Sequence, residues 1–234
     1  MEPSKGTVYL ERVRSLLYRG AMMVMPAESA ERLRNRIRHD TFATIAAEGR
    51  WGEEHLSGWG STVPYTERAR GIVAKVIADY GIESMVDVAC GDFAWMPMVL
   101  EAMGERLSYT GCDIVPALVE RHAAAYPQHT FRHLDMVTDD IPTADLLFCR
   151  DALQHLPVRD IHAALANFRR SGCRYLLTTT HLRRFGRKNG RDRRVGQCQD
   201  RNLMLPPFNL PDPLVIYAEG DSRHKFLGLW ELGG

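Results

Sequence analysis

The side chains able to bind and orient a small ligand gather in four short segments: Asp87-Val88-Ala89-Cys90-Gly91-Asp92-Phe93, Gly111-Cys112-Asp113-Ile114, Leu134-Asp135-Met136 and Cys149-Arg150-Asp151, the last followed by His155. Ala89 and Gly91 are small enough for a ligand to approach the backbone at a helix N-terminus, although a tight strand-to-helix turn asks for the same residues. Asp113 stands 22 residues beyond Gly91, the separation at which a carboxylate accepts hydrogen bonds from ribose hydroxyls in nucleotide-binding sheets. It also precedes Ile114-Val115-Pro116, where a helix N-cap is expected. Asp135 can accept from an adenine amino group, and the thioether of Met136 can cover a ring face. Should the reacting group be a hydroxyl, Asp151 and His155 are the nearest proton acceptors; the competing role for His155 is packing at a helix cap.

Other chemistries are poorly supported. Cys90, Cys112, Cys149, Cys173 and Cys198 include no CxxC pair and no zinc-like spacing, so no metal site is expected and the thiols read as buried and reduced. A formal net charge of +1 gives no global attraction to nucleic acid or membrane. Locally, the segment 181–201 carries Arg183, Arg184, Arg187, Lys188, Arg191, Arg193, Arg194 and Arg201 against Asp192 and Asp200. It reads either as a solvated loop or as a mobile cover whose guanidinium forks suit an anionic group on a substrate. Phe185 alone interrupts these arginines, too little aromatic interleaving to support base stacking, so nucleic acid is not an expected partner. The stretch 203–211, stiffened by Pro206, Pro207 and Pro211, suits a pocket wall or a crossing at the sheet edge.

The elements that would position these groups follow from periodicity. Residues 7–48 are helical in character and read as an appended lid or docking element, with Arg32, Arg34, Arg36 and Arg38 spread round a solvated surface. Residues 51–66, rich in Gly, Ser, Thr and Pro, read as a loop. Ala69, Ile72, Val73, Val76, Ile77 and Tyr80 then mark a helix stopped by Gly81. Beyond it, short apolar runs at 84–89, 109–113, 131–135, 145–149 and 174–180 alternate with helical segments 93–103, 117–126 and 159–170. Two final runs, 213–218 and 226–232, have no helix between them and fit an antiparallel hairpin. The expected fold is α/β, a doubly wound, mostly parallel seven-stranded sheet with that C-terminal hairpin and an N-terminal helical extension. The expected organisation is residues 1–50 as the extension and 51–234 as the main domain. The N-terminus lacks the apolar core of a signal peptide and no stretch approaches a bilayer-crossing length, so the expected location is cytoplasmic.

Ligands in such sheets bind outside the carboxyl ends of the strands, and the four segments stand at four such ends in order. The series resembles the class I S-adenosylmethionine-dependent methyltransferase family (Rossmann-like), and within it a bacterial branch. The resemblance is carried by Gly60-Ser61-Thr62, Asp87 through Met96, Gly111 through Pro116, Cys149-Arg150-Asp151, Leu176 through Thr180, Leu205-Pro206-Pro207-Phe208-Asn209 and Leu227-Gly228-Leu229-Trp230. It implies S-adenosylmethionine as cofactor, with Asp87, Ala89 and Gly91 flanking its methionine part and Asp113 with Ile114 at the ribose. Asp135 and Met136 would border the adenine, and Arg150 and Asp151 the sulfonium region. Arg70 would reach the cofactor carboxylate or form a surface ion pair. The family pattern has glycine where this chain has Ala89 and Phe93. A dinucleotide site would need three glycines where Ala89, Gly91 and Ala94 stand.

The expected reaction is methyl transfer to an oxygen or nitrogen of a small polar acceptor, such as a sugar or natural-product intermediate, with Asp151 and His155 as catalytic candidates. The alternatives are methylation of a protein side chain, with the N-terminal helices and basic loop as docking surfaces, and a non-catalytic S-adenosylmethionine-binding scaffold.

Overall fold

A computed structural model of the chain describes residues 25–52, 56–182, 189, 191–220 and 224–233. Several expectations therefore lie outside the described residues: the helical reading of 7–24, Arg183, Arg184, Arg187 and Lys188 of the basic segment, and the 221–222 portion of the last turn. The chain divides into two compact units, residues 1–40 and 41–234.

The first described helix, α1 (Ala27–Ala47), begins in the smaller unit. There, Arg32 pairs with Glu28 and Arg36 with Asp40 at one-turn spacing, both pairs exposed. Pairs of this kind contribute only a few tenths of a kcal/mol, ~0.3–0.5; Arg38, expected on the same solvated surface, is buried instead and donates to Asn35 Oδ1 at 3.0 Å.

The larger unit is a sheet flanked by helices. Helix α2 (Glu67–Tyr80) buries Ala69, Ile72, Val73, Val76 and Ile77 and ends at Gly81 in the left-handed conformation. Strand β1 (Ser84–Val88), helix α3 (Met96–Met103), strand β2 (Ser108–Asp113), helix α4 (Pro116–Ala125), strand β3 (Thr130–His133), strand β4 (Leu146–Cys149), helix α5 (Val158–Arg170) and strand β5 (Tyr175–His181) follow in turn. The chain closes with β6 (Val215–Ala218) and β7 (Lys225–Glu231). The seven strands run in the order β3-β2-β1-β4-β5-β7-β6, with β1 to β5 parallel to one another and β7 antiparallel to both β5 and β6. The doubly wound sheet and terminal hairpin are as expected. The order reverses between β1 and β4, so the crevice of such a sheet opens at their carboxyl ends.

One boundary differs instructively. Helix α3 starts at Met96 and not at Phe93, because Phe93 has φ 58° and cannot be a helical residue. Side chains alternate between two cores: Met85, Phe148 and Leu177 face one, with α2 and α3; Val86, Leu147 and Leu176 face the other, with Ile161, Ala164, Leu165 and Phe168 of α5. The proline-rich stretch belongs to the second core, where Leu203, Phe208 and Leu210 are buried and Trp230 Nε1 donates to the Pro211 carbonyl at 2.8 Å. Among the described residues no helix is long and apolar enough to cross a membrane.

Candidate active site

The turn after β1 is built from an unusual backbone. Ala89, Gly91 and Phe93 have φ of 70°, 60° and 58°, so every second residue is left-handed, a region disfavoured for residues with a Cβ. The turn is held open from both sides of Gly91. Its amide donates to Asp113 Oδ2 at 2.9 Å, and its carbonyl lies 2.8 Å from His122 Nε2 on α4. Asp113 Oδ1 meanwhile accepts the Val115 amide at 3.0 Å, the capping role foreseen from Ile114-Val115-Pro116. The Ile114 amide also lies within reach of this carboxyl. Burial raises the pKa of Asp113 above the ordinary carboxylate range in spite of these bonds.

Asp87, at the end of β1, is buried and accepts from the Tyr109 hydroxyl at 2.9 Å. Burial pushes its pKa up to about 7 against that bond, and the negative charge of Asp113 adds to the rise. Phe93 is a core residue: its ring sits 4.9 Å from Tyr126, 5.1 Å from Phe131 and 5.5 Å from Tyr109. Its side chain thus stabilises a backbone conformation that glycine would adopt freely.

The segment 56–62 lies on this turn. Asp92 donates its amide to Ser57 Oγ at 2.7 Å, and its Oδ2 accepts from Ser57 N and Ser61 Oγ at 3.3 and 3.1 Å. A Cβ at Gly91 would collide with Ser57 Oγ, so the absent side chain is what lets the two segments meet. Arg70 is committed nearby: its Nη1 donates to the Val63 carbonyl at 2.6 Å and to Thr66 Oγ1 at 3.0 Å, lacing the turn ahead of α2 to that helix.

At the end of β3, Asp135 is buried, with Oδ1 accepting the Val137 amide at 3.0 Å, and Met136 is half-buried beside it. The Ile114 carbonyl lies 3.1 Å from His133 Nε2.

The ends of β4, β5 and β7 form a second polar group, buried and ionic. Arg150 donates to Glu219 Oε1 through Nε at 2.8 Å and Nη2 at 2.5 Å, and to the Gly60 carbonyl at 2.9 Å. Lys225 pairs with Asp151 Oδ2 and lies 3.0 Å from Glu219 Oε1. The antiparallel register sets Lys225 opposite His181 at the carboxyl end of β5. Asp151 is left-handed at φ 53°, with its amide donated to Thr179 Oγ1 and its Oδ1 accepting from Gln154. Arg150 and Lys225 hold the Asp151 carboxyl below its usual range against the opposing effect of burial. His155 stacks on Trp51 with ring centroids 4.6 Å apart. Burial lowers its pKa to about 4, keeping it neutral at physiological pH.

Sequence reasoning missed Glu219, Lys225, His122 and Asp92. The first two follow or precede hairpin strands and make their contacts across the sheet, which spacing does not reveal. His122 follows Leu118 and Val119 on a buried helix face and looks like core. Arg201, expected among solvated arginines, is buried instead, with its guanidinium 3.6 Å from Asp192. Arg191, Arg193 and Arg194 are exposed. The described cysteines are all free, and no group of His, Cys, Asp or Glu among the described residues could hold a metal ion.

Residues 86–171 match the family described as "Methyltransferase domain". No curated protein matches. Solved structures do. Magnesium protoporphyrin IX methyltransferase from Synechocystis PCC 6803 with bound S-adenosylmethionine superposes at TM-score 0.56 and 17% identity, over 84% of this chain and 95% of that one. Mitomycin 7-O-methyltransferase gives TM-score 0.59 at 16% identity, over 81% of this chain and 60% of that one. The methyltransferase domain of bacterial CtHen1-C gives 0.45 at 14%, over 50% and 66% respectively, so this chain spans just under two thirds of that domain's length. At such identities the likeness is one of fold.

Proposed function

We propose that this chain, whose residues 86–171 match the methyltransferase-domain family, is a class I S-adenosylmethionine-dependent methyltransferase in which the carboxyl ends of β1, β2 and β3 hold the cofactor while the ends of β4, β5 and β7 hold a small polar acceptor, methylated at oxygen or nitrogen. The observation that carries this reading is the doubly clamped Gly91 peptide, fixed by Asp113 on one side and His122 on the other.

The residues present fit the cofactor. Asp113 offers its carboxylate to ribose hydroxyls beside the backbone bonds it already accepts. Asp87, with Ala89 and Gly91, provides a buried acid and a half-buried turn of small residues at the methionine position, and Asp135 with Met136 and Ile114 borders the adenine. S-adenosylmethionine supplies a methyl group on a sulfonium, which needs in-line approach and exclusion of water. The segment 56–62, latched by Asp92, provides that exclusion. Arg150 contributes by fixing Gly60 and Glu219 through Nε and Nη2; Arg70 contributes by holding the turn at 63–66.

The ion pair with Lys225 makes Asp151 a poor base and a good anchor. His155 is the better proton acceptor. Its conjugate acid is strong, but a hydroxyl becomes far more acidic as its oxygen bonds to carbon, so a weak base suffices at that moment. An amine that arrives unprotonated needs no base.

Calorimetry with S-adenosylmethionine and S-adenosylhomocysteine tests the cofactor half; failure of both to bind sinks the reading. Incubation with methyl-labelled cofactor and fractionated cell extract tests the acceptor half, where label in the small-metabolite fraction is expected and label confined to protein would redirect it.

A further inference from the structure

One carboxylate of the β4–β7 cluster has half of its hydrogen-bonding capacity unused. The Glu219 side chain is 1% exposed, and its Oε1 accepts from both Arg150 and Lys225. Its Oε2 is buried with no partner. Buried acceptors in native structures are nearly always paired, and an orphan points to a ligand or water that belongs there. A second orphan, His155 Nδ1, lies on the same side of the sheet, close enough for His155 to feel the charges of Asp151 and Lys225.

The kind of ligand follows from the charges. Arg150 and Lys225 are balanced by Asp151 and Glu219, so the cluster has no net charge with which to draw in an ion. What it lacks is a hydrogen-bond donor. Aromatic rings lead outward from it: Lys225 sits over the Tyr65 ring at 5.2 Å, and Tyr65 stacks on Trp59 at 4.7 Å. Trp59 is 72% exposed and adjoins Gly60, whose carbonyl Arg150 holds.

We propose that Glu219 Oε2 recognises the methyl acceptor by taking the hydrogen of a neutral hydroxyl or amine on it, with the Tyr65 and Trp59 rings bordering a cyclic body. This rests on the methyltransferase reading above, because it makes the ends of β4 and β7 the acceptor side. A ligand whose hydroxyl at that position is capped by a methyl group has no hydrogen to give and leaves Glu219 unpaired again.

The test is a saturation-transfer NMR titration of protein saturated with S-adenosylhomocysteine, using two matched pairs of probes: phenol against anisole, and cyclohexanol against methoxycyclohexane. Within each pair only the donor hydrogen is lost. The hydroxyl probe should bind about tenfold tighter than its methyl ether, as sites built to pair a hydroxyl discriminate strongly against its absence. In Glu219→Gln the amide oxygen must keep Arg150 and Lys225, which turns the NH2 toward the ligand, and the preference should vanish. Equal binding of alcohol and ether to the wild-type protein, or no binding of any of the four, overturns the proposal without recourse to a variant. So does a preference that survives in a Glu219→Gln protein of unchanged melting temperature. Calorimetry with S-adenosylhomocysteine separates the two levels: no binding there defeats the cofactor reading, whereas normal binding without donor discrimination defeats only the role of Glu219.

Discussion

The Tyr109 hydroxyl reaches across from β2 to donate to Asp87 Oδ2 at 2.9 Å, yet burial still pushes the Asp87 pKa up to about 7. Between the ordinary carboxylate value and 7 the folded protein therefore holds a proton that the unfolded chain has released. Stability falls as pH rises through that window, by at most on the order of 4 kcal/mol for three pKa units. Asp87→Asn keeps an acceptor for Tyr109 and removes the charge. Urea denaturation should show the variant more stable than its parent at pH 8 and little different near pH 4.5; a parent whose stability is flat over this range would contradict the assignment.

Ala89 and Phe93 occupy the same backbone region but should respond oppositely to glycine. Relief of a left-handed conformation is worth about 1–2 kcal/mol, reduced by the ~0.4–1 kcal/mol that glycine adds to unfolded-state freedom. Ala89→Gly should thus be neutral or stabilising by up to about 1.6 kcal/mol. Phe93→Gly gains the same relief but removes a ring in contact with Tyr109, Tyr126 and Phe131, a loss of about 3–5 kcal/mol by comparison with buried Phe→Ala changes. Thermal unfolding of both variants measures the difference in sign.

Asp113→Ala should weaken binding of S-adenosylhomocysteine by about 1.5–3 kcal/mol, the value of hydrogen bonds to a charged acceptor, and also lower stability because the Gly91 and Val115 amides lose their partner. Calorimetry on variant protein shown to be folded at the assay temperature reads the first effect. Unchanged affinity would remove Asp113 from the cofactor site.

The Arg150–Glu219 pair makes a stability prediction independent of any ligand. Removing one partner, as in Glu219→Ala, leaves Arg150 buried beside only Asp151 and should cost about 3–5 kcal/mol. Replacing both, as in Arg150→Met with Glu219→Leu, should cost much less, because the desolvation of two charges disappears together. Denaturation midpoints of single and double variants close the cycle, and additive losses would argue against a coupled pair.

The alternation of five apolar runs with helical segments sufficed for the sheet, its helices and the terminal hairpin, because strands buried on both faces are written as continuous apolar text. Asp87, Asp113, Asp135 and Asp151 were legible for a related reason, as each stands where such a run ends. Glu219 and Lys225 were not. Their partners, Arg150 and Asp151, stand just after β4, about 70 residues away in the chain, and pairing across a sheet depends on strand order, which periodicity leaves open. Phe93 was misplaced as the start of a helix since no local rule puts a phenylalanine at positive φ; only the ring cluster around it makes that conformation tolerable.

Two backbone hydrogen bonds, Gly196 N to His155 O at 2.9 Å and Gln199 N to Gln154 O at 3.0 Å, join the downstream limb of the arginine-rich segment to the turn that carries His155. Further up that limb, Asp192 Oδ1 accepts the Val158 amide at the start of α5. The downstream limb is therefore fastened through its main chain to the turn that carries the proposed proton acceptor. On the proposed reading, a phosphate or carboxylate held by Arg191, Arg193 or Arg194 would bear on that turn through main-chain bonds, so that charge on a remote part of an acceptor would register in turnover as well as in affinity.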